Sequence, residues 1–179
     1  FGSVWKDKQT IYLFYSYEGD IYVSSTPLSN GVDFRGETMI LESGSPGSYD
    51  DYISGCNVWK EDSIWHMFYR LRSSDYNNGF GYANCGAGES CLTGAGYWTK
   101  YAGNPINNSH GLERNDYDPY GLIKVGETYY LYTNPNPREL YRYTSNDLIN
   151  WQADSNNPIF NTDRYCGYVF QHNGYYYII

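Results

Sequence analysis

The chain has 179 residues, a formal net charge of −8, 20% aromatic residues (23 of them Tyr) and 19 Gly. An acidic balance argues against a nucleic-acid partner, which calls for a basic stripe, and no apolar run approaches the ~20 residues that span a bilayer. No long segment of good helix formers appears, so the composition suits short strands and turns around one core of ordinary size.

Val4-Trp5 opens the chain and Lys6 to Gln9 reads as a polar turn. Ile11 to Ser16 (IYLFYS) is a strand, Glu18-Gly19-Asp20 a turn, Ile21 to Ser25 the next strand and Thr38 to Leu41 a short outer one. This makes an antiparallel sheet that lacks its first strand, or most of it. A second copy starts at Tyr49-Asp50-Asp51. Gly55 to Trp59 is its inner strand, Lys60 to Ser63 its turn, Ile64 to Leu71 (IWHMFYRL) its second strand and Gly79 to Asn84 its third. A Gly- and Cys-rich insertion follows, then Tyr97 to Lys100 and Asn104-Pro105-Ile106.

The third copy is the most legible. Asp118-Pro119 stands before the apolar run Leu122 to Val125, Gly126-Glu127 turns the chain, and Thr128 to Thr133 is rich in β-branched and aromatic residues. Glu139 to Thr144, the stretch from Ser145 to Trp151, and Asn157-Pro158-Ile159-Phe160 complete it. The fourth begins at Asp163. Tyr168 to Gln171 is an inner strand, His172 to Gly174 a turn and Tyr175 to Ile179 a second strand.

The second strands restart at Ile11, Ile64, Thr128 and Tyr175, about 50 residues apart, the mark of a β-propeller with insertions. A β-sandwich is the competing architecture, but its strands need not restart with one phrase. The chain therefore reads as all-β: a single propeller domain over residues 1–179, with about two full and two partial blades.

Of the four cysteines, Cys85 and Cys91 bracket the loop GAGES and could bridge it. Cys56 and Cys166 could pair only if distant blades bring them together. No C-x-x-C pair exists and His66, His110 and His172 are scattered, which argues against zinc. The cysteines suit an oxidising, secreted setting. Asn107-Asn108-Ser109 is a glycosylation sequon.

At this point the phrases form a resemblance. IYLFYS and IWHMFYR, the blade endings GYAN…YWTKYAGNPI and YTSNDLINWQADSNNPIF, and the Asp-Pro strand DPYGLIKVGETYYLYT resemble the five-bladed β-propeller glycosidases: glycoside hydrolase family 43 and its relatives in families 32, 62, 68, 117 and 130. The resemblance spans nearly the whole chain and identifies the superfamily better than the family. It implies three carboxyls at the inner ends of different blades: a general base Asp on the first, an Asp that orients substrate and tunes the acid on the third, and a general acid Glu on the fourth. Inverting hydrolysis needs such an acid and base held roughly 6.5–9.5 Å apart, and neighbouring carboxyls separate each other's pKa values.

Carried over by position, Asp118 matches the third-blade Asp; the bland alternative is an Asp capping its own loop before a proline. The first-blade base falls at or before the N-terminus. At the fourth-blade acid stands Tyr165, with Asp163 two residues upstream, and a phenol with a reference pKa of about 10 is a poor proton donor to a leaving alcohol. Asp50 and Asp51 sit at the mouth of the second inner strand, where the family places a polar substrate contact. Arg70, Tyr120 and Trp65 are candidate sugar contacts, although the alternation around Trp65 favours packing between strands. Tyr165 joins Asp51, Arg70 and Tyr120 as a substrate-binding candidate.

The function implied is a secreted glycosidase-like propeller acting on arabinofuranoside- or xyloside-type polysaccharide. The alternative is a non-catalytic carbohydrate-binding or structural propeller that has lost the acid. No cofactor is expected beyond an axial calcium known among the relatives, whose ligands nothing here identifies. Incomplete blades at both ends would leave open strand edges, so the expectation is further chain beyond both ends or a neighbouring subunit, a homo-oligomer, covering them.

Overall fold

In the computed structural model, the described residues are 2–31, 33–72, 79–106, 110–112, 119–136, 138–161 and 168–178. They form antiparallel sheets in chain order. The first is β1 (Gly2–Asp7), β2 (Thr10–Tyr17), β3 (Asp20–Pro27) and β4 (Arg35–Leu41). The second is β5 (Ile53–Glu61), β6 (Ile64–Leu71), β7 (Gly79–Cys85) and β8 (Thr99–Lys100). The third is β9 (Pro119–Val125), β10 (Thr128–Asn136) and β11 (Glu139–Ser145), with the short β12 (Gln152–Ala153) and β13 (Phe160–Asn161) both paired to β11. The fourth is the hairpin β14 (Val169–His172) and β15 (Tyr175–Ile178).

This is the all-β, blade-by-blade order expected of a propeller. The first sheet departs from the sequence expectation. Gly2–Asp7 supplies the strand thought to be mostly missing, and it pairs with β2 from Gly2↔Tyr15 to Asp7↔Thr10. The expected turn at Lys6 to Gln9 shrinks because Lys8 takes a left-handed φ of 50°, which closes the hairpin tightly enough for Lys6 and Asp7 to stay in the ladder.

The sheets stack face to face, and each interface has its own core. Trp65 of β6 is fully buried among Trp5, Tyr12 and Phe14 of the first sheet, with ring centroids 6.1, 6.1 and 5.8 Å away. Phe68, on the opposite face of β6, meets Trp151 edge-on at 5.6 Å, just before β12 of the third sheet. The second sheet is thus buried on both faces, which is why β6 reads as a near-continuous apolar run. Val169 packs with Tyr132 and Leu140 to join the fourth sheet to the third. An ideal Cβ at Gly121 would lie 2.2 Å from Val169 Cγ2, so β9 and β14 approach as closely as a glycine permits.

The repeated Asn-Pro-Ile phrase has one structural job. Asn104 Nδ2 donates to Tyr82 O, and Asn104 Oδ1 accepts from Tyr82 N, both at 3.0 Å. Asn157 treats Arg142 in the same way, at 3.0 and 2.9 Å. In each blade the amide stands in for an outer strand, satisfying one backbone N–H and C=O of the third strand. Both Asn-Pro bonds are cis, and the following Ile continues the pairing, Ile106 with Phe80 and Ile159 with Leu140.

Cys85 and Cys91 are disulfide-bonded and close the loop they bracket. Trp98 Nε1 donates to Cys91 O at 2.8 Å, which pins the loop to the second sheet. Cys56 is a free, buried thiol, and burial pushes it up to about 12, so it is inert as a nucleophile. Cys166 and the sequon at 107–109 lie outside the described residues.

Candidate functional site

The strands β1, β5, β9 and β14 are the first of their sheets, and β5 and β9 pack directly on one another, as do β9 and β14. Asn57 meets Pro119 and Glu61 meets Lys124, so β5 and β9 run in the same direction, and the end at which they begin is here called the mouth.

Between the second and third sheets the mouth has defined geometry. Asn57, in the middle of β5, donates from Nδ2 to the carbonyl of Pro119 at 2.6 Å. That carbonyl belongs to the first residue of β9, so the entrance to β9 is fixed against β5 at the level of Asn57. Ser54 lies across from Arg70 and Asn57 across from Phe68 in the β5–β6 ladder. Cross-strand partners share a face, and residues 66, 68 and 70 alternate onto the same side of β6. Phe68 packs toward the third sheet; Arg70 therefore projects toward the third sheet too, one step nearer the mouth than Asn57. Ser54 Oγ is buried and has no hydrogen-bond partner among the described residues.

The third sheet contributes from β10. Thr133 pairs with Pro119 beyond a register shift, and Asn134 follows it, fully buried. Asn134 Nδ2 donates to Glu139 O at 2.8 Å, while its Oδ1 has no partner among the described residues. Asn57 and Asn134 are the residues that reading the sequence missed. A polar amide inside the apolar GCNVW was the available signal for Asn57. Asn134 lies one residue past the expected strand Thr128 to Thr133, in the part of β10 that the sequence reading left out.

The other predicted residues fare differently. Asp51 Oδ2 accepts from Gly47 N at 3.0 Å and caps the loop that enters β5. Asp50 is buried and engaged by the outer strand of its own sheet: it ion-pairs with Lys100 of β8 at 2.5 Å and accepts from Ser48 Oγ at 2.9 Å. Burial, then Tyr49 and the Asp50 charge, hold the Tyr69 phenol well above its usual range, so that phenol stays protonated at ordinary pH. Trp65 has no exposed surface and lines no subsite; it is the centre of the first core. Asp118, Tyr165, Asp163 and the side chain of Tyr120 lie outside the described residues. Among the described residues no three His, Cys, Asp or Glu side chains gather to hold a metal ion, so an axial calcium has no identified ligands here. No described helix is long and apolar enough to cross a membrane.

No family model matches the chain, and no curated protein matches it in sequence. Solved structures do match. An α-L-arabinofuranosidase from Clostridium thermocellum is 13% identical over 99% of this chain and 59% of its own, with a TM-score of 0.63. A family 117 glycoside hydrolase from Zobellia galactanivorans is 17% identical over 86% of this chain and 44% of its own, with a TM-score of 0.63. A family 32 β-fructofuranosidase from Bombyx mori is 20% identical over 97% of this chain and 39% of its own, with a TM-score of 0.59. The fold is that of the β-propeller glycosidases, and the chain spans less than two thirds of the length of each of these three structures.

Proposed function

We propose that the chain is part of a carbohydrate-active propeller of the glycoside hydrolase type, which binds arabinofuranoside- or xyloside-type side chains of polysaccharide at its mouth. The observation that carries this is the bond from Asn57 to Pro119, which fixes the entrance of β9 beside the Arg70 face of the second sheet. Asp118 directly precedes Pro119 in the sequence, the residue whose carbonyl Asn57 holds, and an orienting carboxylate needs support of this kind. In this reading Asp118 holds the sugar, and Arg70, Asp51, Tyr120 and Tyr165 contact it. Hydrolysis further requires an acid that gives its proton to the leaving oxygen and a carboxylate that takes one from the attacking water. The similarity to an α-L-arabinanase of Cellvibrio cellulosa and an exo-1,5-α-L-arabinanase from a bovine ruminal library supports arabinose-containing substrates. The Cys85–Cys91 disulfide supports an extracellular site of action.

The test is turnover of aryl α-L-arabinofuranosides, aryl β-D-xylosides and arabinan, compared with Asp118→Asn. Turnover that the substitution abolishes without lowering the melting temperature is expected. A folded protein that neither turns over nor binds any of these overturns the reading.

A non-catalytic sugar-binding propeller is the second reading, favoured by Tyr165 at the acid position of the repeat. It predicts affinity without turnover, and a gain of turnover in Tyr165→Glu.

A further inference from the structure

The inner strands end, at the side opposite the mouth, in a second cleft. Trp5 of β1, Trp59 to Glu61 of β5, Lys124 of β9 and Gln171 of β14 line a recess of about 420 Å³. Its lining on β9 runs from Leu122 to Lys124 and so begins three residue steps past Pro119, about 10 Å at ~3.3 Å per step, which places the recess toward the other end of the strand from the mouth. Its volume falls in the ~300–1,000 Å³ range of small-molecule sites.

Its walls are held in place from behind. Trp59 stacks flat on His66, with centroids 5.1 Å apart and planes 15° apart. Trp5 is held edge-on by Trp65 at 6.1 Å. Glu61 receives the Tyr129 hydroxyl on Oε2 at 2.6 Å and the Lys124 ammonium on Oε1. The Lys124 and Tyr129 bonds hold the Glu61 carboxyl below its usual range, so it stays ionised.

Charge decides what the recess can hold. Lys124 is matched by Glu61, and Lys60 by Asp7 at 3.1 Å and Glu89 at 3.6 Å. A charged ligand would have to displace one of these internal partners. A neutral polyol would not: its hydroxyls can accept from the remaining N–H bonds of Lys124 and from the Gln171 amide, and donate to the second lone pairs of Glu61. Its C–H faces can lie against the indoles.

We propose that this recess is a second carbohydrate site, taking the neutral end of an oligosaccharide. Only the choice of ligand class rests on the function proposed above. The site would tether a polysaccharide while the mouth engages another segment of it, raising the local substrate concentration.

Calorimetric titration of the chain with arabinotriose, xylotriose and trigalacturonate tests this, alongside Gln171→Ala, Trp59→Phe and Asp118→Asn. The expected result is binding of a neutral trisaccharide that Gln171→Ala and Trp59→Phe each weaken about fivefold or more and that persists in Asp118→Asn. Gln171 is exposed, so its variant reads the site without disturbing the fold. Absence of binding, insensitivity to both cleft substitutions, or preference for trigalacturonate overturns the proposal. Turnover absent from the unsubstituted chain while the cleft affinity is present would count against the mouth alone, and turnover without cleft affinity against the cleft alone.

Discussion

Asn57 and Pro119 are 62 positions apart, yet the Asn57 amide donates to the Pro119 carbonyl at 2.6 Å and so sets how the third sheet enters the mouth. Asn57→Leu keeps the branched shape of the side chain and leaves that carbonyl without its donor. Stability should fall by about 1–2 kcal/mol, the usual cost of an orphaned buried acceptor. Sugar affinity or turnover at the mouth should fall further than stability alone explains. Denaturant melts set beside binding curves measure the two effects; a variant that loses stability but keeps full affinity would show that the bond is structural only.

The contact of Gly121 with Val169 gives a steric prediction. Gly121→Ala places a methyl on Val169 Cγ2 and should destabilise by about 1–3 kcal/mol, as overpacking does. Val169→Ala removes that methyl, so the double variant should lose less than the two single variants combined. Thermal melts of the four proteins form the cycle, and simple additivity would mean that β9 and β14 do not press on each other.

Asn157→Ala removes both bonds to the Arg142 backbone and should cost about 1–3 kcal/mol. Asn157→Asp keeps an acceptor for the Arg142 N–H and loses the donor, so it should fall between wild type and Ala. Equal melting temperatures for all three would dismiss the surrogate-strand role.

Asp147 predicts a pH dependence. Burial works against its charge, but the N–H groups of Asn150 and Ile149, the Asn150 amide and the Ser145 hydroxyl outweigh it and hold the carboxyl at about 2. The folded state thus prefers the carboxylate. The contribution is complete above the ordinary carboxylate range near pH 4 and is lost as pH falls through about 2. Asp147→Ala should cost about 1 kcal/mol at pH 7, the worth of a cap, since solvent screens this exposed side chain. The gap to wild type should close in melts taken near pH 2; a gap that stays constant with pH would mean the charge contributes nothing.

The sequence by itself determined the repeat. Strand, turn and strand recur because each hairpin needs its own apolar face and its own positive-φ turn, and both are local requirements written in neighbouring residues. The phrases around Ile64 to Leu71, Thr128 and Tyr175 could therefore be assigned one by one, and the role of Trp65 as packing followed from its alternation. Tertiary structure decided where each polar residue lies and what it meets. Asp50 and Asp51 are adjacent in sequence, yet one is buried against Lys100 and the other caps a loop. Asn57, unremarkable along the chain, reaches a strand 62 positions away. The cleft of Trp5, Trp59, Lys124 and Gln171 draws on four separate strands. Which side chains meet across stacked sheets depends on register and facing between elements distant in sequence, and a linear pattern carries no term for that distance.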